Sequence, residues 1–182
     1  GNRQRVALIN VFKKQRFGMN IYKEPWMHIV KKDFFTDAEE LTQKIKNVIK
    51  ERTPYGFHNK FTIKFPFEYS FPDLVPLLEY FPNRRKASSL NTYWELNAIK
   101  GKYKYPIHDE NPKKVLSVVV YLDPVDNLGT SLYDKNKKFS KDILWKPNTA
   151  FIFAGMTGET WHSYACNTEE PRITINGFLH AN

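Results

Sequence analysis

Val115-Leu116-Ser117-Val118-Val119-Val120-Tyr121-Leu122 is almost wholly apolar at both odd and even positions. Successive side chains of an extended chain point to opposite faces, so a strand of this kind must be covered on both sides. That demand restricts the fold more than any other stretch of the chain: the segment belongs at the centre of a two-layer core. The flanking sequence has the same texture of short strands and turns. Residues 91–99, 129–133, 149–154, 160–165 and 172–179 are further strand candidates. Asp126-Asn127-Leu128-Gly129 and Lys146-Pro147-Asn148 supply turn chemistry between them. Asp134–Asp142, with four lysines, reads as a solvated loop.

The first 90 residues differ in pattern. Residues 6–12 read as one strand and residues 20–30 as another, interrupted at Pro25. Thr36-Asp37-Ala38-Glu39 has the capping-box order, in which a Thr hydroxyl takes an orphan amide and Glu39 reaches back. Leu41, Ile45, Val48 and Ile49 then recur at helical spacing and predict an amphipathic helix over 37–51. Leu74, Val75, Leu77, Leu78 and Phe81 predict a shorter helix with Pro76 in its first turn. No repeat or linker divides the 182 residues, which suffice for one domain (1–182) with a buried core. The expected class is α+β, mainly β: a sandwich or jelly roll with N-terminal helices packed on one sheet.

Charge is unevenly placed. Residues 1–32 carry eight Lys or Arg against Glu24 alone, so this segment holds most of the net charge of +9. Such an arm suits an acidic partner, or serves as a solvated, solubilising segment. No zinc-finger or RNP-like motif points to nucleic acid. No apolar run approaches the roughly 18 residues of a spanning helix, and no signal-peptide pattern is present, so no membrane partner is expected. Cys166 is the sole cysteine, which excludes an internal disulfide and favours a reducing, cytoplasmic setting.

Chemistry concentrates in three places: His108-Asp109-Glu110, His162, and Arg172-Ile173-Thr174. Two histidines and a carboxylate suit a non-haem iron held on one face with the opposite face open. If residues 107–110 are extended, alternation turns His108 and Glu110 the same way and Asp109 away. Asp109 as the ligand would need a local bulge. His162, following Trp161 just after the strand at 149–154, is the best third ligand. His28, His58 and His180 have no comparably spaced acidic neighbour and read as surface or ordinary polar residues. On the last strand Arg172, Thr174, Asn176 and Phe178 share one face, with Ile173, Ile175 and Leu179 behind. Burying an Arg without an anion is costly, whereas Arg with Thr can grip a carboxylate by charge-assisted bonds. Tyr103, Tyr105, Tyr133 and Trp161 are aromatics that would line a pocket mouth or fill the core. No Ser/His/Asp or Cys/His constellation is evident.

The order His-x-carboxylate, about fifty residues, His, ten residues, Arg-x-Thr resembles the Fe(II)/2-oxoglutarate-dependent oxygenases. His108-Asp109-Glu110-Asn111-Pro112 leading into Ser117–Leu122, then Gly129-Thr130-Ser131-Leu132-Tyr133, is similar to the prolyl-hydroxylase-like branch and its phage and bacterial relatives. The likeness covers roughly residues 90–180. It implies a double-stranded β-helix with the site at its open end. It assigns His108, Glu110 and His162 to Fe(II), and Arg172 with Thr174 to the distal carboxylate of 2-oxoglutarate. Asn97, Tyr103 and Tyr121 are candidate helpers there. It implies an O2-consuming hydroxylase that releases succinate and CO2 and acts on an unidentified protein side chain or small molecule. Glu110 departs from the family's usual Asp, its extra methylene moving the carboxylate by roughly 1.5 Å. A cupin-like metal protein, a catalytically silent relative, or a binding module using the basic segment are the alternatives.

Overall fold

The computed structural model describes residues 18–182 and contains two antiparallel sheets. The larger has seven strands in the order β1 (Met19–Tyr22), β2 (His28–Lys31), β9 (Thr149–Phe153), β6 (Lys114–Asp123), β11 (Arg172–Ala181), β4 (Leu90–Ile99), β3 (Lys60–Lys64). The smaller has four: β5 (Lys104–His108), β10 (His162–Ala165), β7 (Thr130–Tyr133), β8 (Phe139–Ile143). β6 is the middle strand of seven, paired with β9 on one side and β11 on the other. The doubly apolar run therefore sits where both faces are covered and its backbone groups find partners on both sides.

The two faces of the large sheet do different work. Leu96, Leu116, Val118, Val120, Ile152 and Ile175 form the outer core together with Leu41, Ile45 and Ile49 of helix α1 (Ala38–Arg52). Leu41 and Ile45 are 1% and 0% exposed, and burial of such a side chain contributes about 1.5–3 kcal/mol. The opposite face presents Tyr121, Phe151 and Phe153, which pack with Leu132 and Ile143 of the small sheet and with Trp26 and Trp145. Between the sheets this aromatic packing stops short on one side, and a cavity is left beside the inner face of β11.

Several local expectations change. The capping box does not form: Asp37, not Thr36, is the N-cap of α1 and makes no side-chain cap bond. Its carboxylate instead accepts the Tyr69 hydroxyl, so α1 is held by its buried stripe. The shorter helix is a 3₁₀ helix, Val75–Tyr80, with a proline in its first turn as expected. Its Leu78 joins the outer core. β3 and β5 were not expected as strands, and all of β8 but Ile143 falls within the presumed solvated loop. β8 is an outer strand bonded to β7 alone; Ile143 is buried while Phe139 is exposed, so it shows little apolar periodicity. The strand expected at 20–30 is the β1–β2 pair, parted around Pro25. The strand expected at 6–12, and much of the basic arm, lie outside the described residues. Among the described residues no helix is long and apolar enough to cross a membrane.

Candidate metal centre

β5 ends at His108 and β10 begins at His162, and the antiparallel register sets these two residues opposite each other. Their ring centroids are 4.1 Å apart. His108 Nδ1 lies 2.9 Å from the Pro106 carbonyl, and His162 Nδ1 lies 2.7 Å from the Thr160 carbonyl. A carbonyl oxygen only accepts, so each Nδ1 carries a proton and Nε2 is the nitrogen left free to face a metal. That is the tautomer a metal-binding imidazole needs, with its orientation fixed by the backbone. His162 is 5% exposed and packs edge-on to Phe153. Burial, then the neighbouring His108, lowers its pKa to about 4, so it is neutral at pH 7.

Glu110 joins the two histidines, but not by strand alternation. β5 has already ended, and Glu110 stands at φ 94° just before the Asn111–Lys114 turn. The chain does bend irregularly here; the bend turns Glu110 inward and leaves Asp109 facing away. Asp109 Oδ2 accepts the Gly158 N–H at 2.7 Å, and the Asp109 carbonyl accepts the Thr160 hydroxyl at 2.7 Å. One ligand atom from each of His108, Glu110 and His162 lies within 4.8 Å of the others, the one such cluster among the described residues. The Glu110 carboxylate accepts from Asn111 N at 3.1 Å and Ser117 Oγ at 3.2 Å, with Lys114 Nζ at 3.5 Å. Burial pushes its pKa up, but Lys114, the two histidines and the Asn111 amide together outweigh burial and hold it below the usual carboxylate range. The donor set is thus two imidazoles and one carboxylate, which suits a divalent iron.

The triad lines a cavity of about 140 Å³, far above the roughly 10–15 Å³ that admits one water. Arg172 lines the same cavity and is 1% exposed. Its Nε donates to Leu128 O at 2.8 Å and its Nη2 to Gly129 O at 2.9 Å. The guanidinium sits among the Trp145, Tyr164 and Tyr121 rings at 4.8, 5.3 and 5.6 Å. No carboxylate among the described residues lies within ion-pair distance of it. Burial pushes its pKa down, opposed by Tyr121, Tyr164 and Cys166. Two of the five Arg donors are used, and three are left for a ligand. Thr174 Oγ1 and Asn176 Oδ1, on the same inner face of β11, are buried without a partner. Unpaired buried polar atoms beside an unneutralised cation are what a bound carboxylate would satisfy.

Among the other expected residues, Asn97 lines the cavity and its Oδ1 accepts the Thr62 hydroxyl at 2.7 Å. Tyr121 stands behind the wall: its hydroxyl bonds to Thr130 Oγ1 at 2.6 Å, and Thr130 faces the cavity. Tyr103 is not among the lining residues; Tyr105 and Tyr164 are, stacked at 4.9 Å. Lys60, Glu95, Lys114 and Tyr164 also line the cavity and were not singled out from the sequence. Only the strand register brings them in, since Lys60 pairs with Ile99 and Glu95 with Asn176. Burial raises the Glu95 pKa against the pull of Lys114 and Lys60.

No protein-family model and no curated protein matches this sequence. The fold, by contrast, is shared with solved structures. A collagen prolyl hydroxylase of Paramecium Bursaria Chlorella virus-1, in a 2OG complex, superposes with a TM-score of 0.61 at 18% identity, covering 85% of this chain and 96% of that one. A Trichoplax adhaerens prolyl hydroxylase, in complex with a hypoxia inducible factor peptide fragment, gives 0.61 at 13% identity, covering 84% and 83%. A 2OG-Fe(II) oxygenase family oxidoreductase from Burkholderia pseudomallei gives 0.53 at 13% identity, covering 91% and 85%. The chain therefore has the two-sheet antiparallel fold of these oxygenases.

Proposed function

We propose that this protein is an Fe(II)- and 2-oxoglutarate-dependent dioxygenase, a single oxygenase domain that hydroxylates a protein side chain or small molecule. One observation carries the reading. A His/Glu/His cluster and a buried arginine without an anionic partner line the same small cavity. The fold likeness supports it, and on this reading the two sheets are a double-stranded β-helix with the cavity at its open end.

His108, Glu110 and His162 would hold the iron, and bound iron with 2-oxoglutarate and O2 would supply an oxidant for a C–H bond, with succinate and CO2 as co-products. The protein's own part is positioning. The Pro106 and Thr160 carbonyls fix the two imidazoles, and Asn111, Ser117 and Lys114 fix the carboxylate. Arg172, backed by Leu128 O and Gly129 O, presents its remaining donors to the distal carboxylate of the cosubstrate, with Thr174 Oγ1 beside it. Phe151, Phe153 and Val119 line the cavity with apolar surface and limit water beside the triad. No residue is needed as a general base.

An anaerobic titration tests this. Fe(II) followed by 2-oxoglutarate should produce the visible charge-transfer band of the chelate, and His162→Ala should lose both the band and 2-oxoglutarate turnover. Absence of the band in the unsubstituted chain, or turnover intact in His162→Ala, refutes the assignment. Stabilisation by metal but not by 2-oxoglutarate would point instead to a cupin-like metal protein.

A further inference from the structure

The turn that follows Glu110 and the turn that leads to His162 come from distant parts of the chain, and one side chain outside both of them ties them together. Arg85 follows the 3₁₀ helix and belongs to neither sheet. Its Nη1 donates to Asn111 O at 2.8 Å and to Lys114 O at 2.9 Å. Its Nη2 donates to Thr157 Oγ1 at 3.0 Å. The first two acceptors lie in the turn after Glu110; the third lies in the turn that leads to His162. No carboxylate among the described residues pairs with this guanidinium. Its role therefore lies in shaped donation to the backbone and a hydroxyl, which a planar fork of donors performs and an ammonium does not.

What needs holding is clear from the backbone. Glu110 is at φ 94°, a region that strains a non-glycine residue and persists only where its surroundings over-determine it. Gly155 shows how closely the two turns are pressed together. A Cβ at that position would lie 2.9 Å from Glu110 Cβ and 3.0 Å from Arg85 Nη1. Glycine at 155 thus lets the second turn pass against both the ligand and the side chain that braces it. Asp109 makes the companion link from inside, through Gly158 N and the Thr160 hydroxyl.

We infer that Arg85 is a positioning residue for the metal centre: it clamps the Glu110 turn to the turn before His162, and so sets the spacing of the third ligand. The inference rests on the iron reading above. A partner outside the ligand shell that orients a ligand is typically worth about 10–100-fold in metal affinity. Arg85 acts one bond further out, on the turn itself, so its loss should lie near the lower end, about tenfold.

The test is Co(II) binding to the full metal-free chain, followed by its visible absorption, for the unsubstituted protein, Arg85→Ala, Arg85→Lys and Thr157→Val. Arg85→Ala should weaken Co(II) binding about tenfold and alter the absorption of the saturated complex, and Arg85→Lys should not restore either. Thr157→Val, which removes a single donor–acceptor pair, should give a smaller loss in the same direction and keeps the test open if Arg85→Ala folds poorly. The melting temperature of each metal-free variant separates a positioning effect from general loosening: affinity and absorption should change in variants whose metal-free melting stays close to that of the parent. Parental Co(II) affinity and absorption in folded Arg85→Ala, or full rescue by Arg85→Lys, would overturn the inference while leaving the iron reading intact. No Co(II) or Fe(II) binding by the unsubstituted chain would overturn both.

Discussion

Replacing Arg172 with Met separates the cosubstrate end of the cavity from the metal end. The side chain is buried, donates twice to backbone carbonyls, and has no ion-pair partner among the described residues. In the ligand-free protein two opposing costs are exchanged. Met removes a desolvated cation, an effective penalty of several kcal/mol, and strands the Leu128 and Gly129 carbonyls at about 1–3 kcal/mol each. The net change in unfolding free energy should therefore be small, within about 2 kcal/mol of the parent. Binding of 2-oxoglutarate has no such cancellation. A carboxylate taking two of the three remaining donors would lose two charge-assisted bonds at about 1.5–3 kcal/mol each. Even the lower figure, about 3 kcal/mol in total, is a loss of roughly a hundredfold in affinity. Calorimetric titration of 2-oxoglutarate into the Mn(II)-loaded, oxygen-free protein measures this directly, with Mn(II) titrated separately into each variant. The reasoning fails if the variant keeps 2-oxoglutarate affinity within about threefold of the parent, below the 1.4 kcal/mol that marks a decade. It fails equally if Mn(II) affinity falls in step, since Arg172 would then support the triad and not the distal carboxylate.

Two further outcomes check the carboxylate choice and the buried histidine outside the site. Asp109→Asn retains an oxygen acceptor for the Gly158 N–H and should leave Fe(II) affinity within about threefold, whereas Glu110→Gln replaces the anionic ligand and should cost at least tenfold; the reverse order in a metal titration would show that the wrong carboxylate was chosen. His28 is fully buried, its Nδ1 faces the Trp26 carbonyl, its Nε2 has no partner, and burial above all lowers its pKa from 6.5 to about 4. Above pH 6.5 it is neutral in both folded and unfolded chains and adds no pH dependence. As pH falls from 6.5 towards 4 only the unfolded chain takes up the proton, so stability drops by up to roughly 3 kcal/mol and then levels off. Denaturant unfolding of the metal-free protein across this range should show the loss, and His28→Gln should lessen it; a His28 that titrates near 6.5 by NMR would contradict the assignment.

Legibility of the fold and site in the sequence followed how local each signal was. The doubly apolar run at 115–122 announces a middle strand, because covering both faces is a property of the segment itself. Arg172, Thr174, Asn176 and Phe178 share the cavity face because they lie on one regular strand, where alternation is a sound guide. Alternation selected Glu110 over Asp109 as well, yet for the wrong reason, since the strand ends at His108 and a turn does the work. β8 was missed because it carries little apolar periodicity, and β5 because Lys104-Tyr105-Pro106 reads as a breaker. β3 does alternate, with Phe61 and Ile63 half-buried between exposed Lys60, Thr62 and Lys64, and its signal was legible but overlooked. The failed capping box has a tertiary cause in Tyr69, which no window around Thr36 contains. Lys60, Glu95 and Arg85 reach the site by register or by long-range hydrogen bonds, and neither leaves a motif.

The order of the sheets also bears on how the molecule avoids its own copies. A strand with one unpaired side offers a row of free amides and carbonyls on which another chain can continue the sheet. Among the described residues, three of the four terminal strands carry lysine within their span: Lys60 and Lys64 in β3, Lys104 in β5, Lys141 in β8. Bringing two such borders into register would set ammonium groups against one another as the backbones approached. Four lysines are thus placed where sheet-to-sheet polymerisation would begin, so that like-charge repulsion opposes fibre growth at these borders.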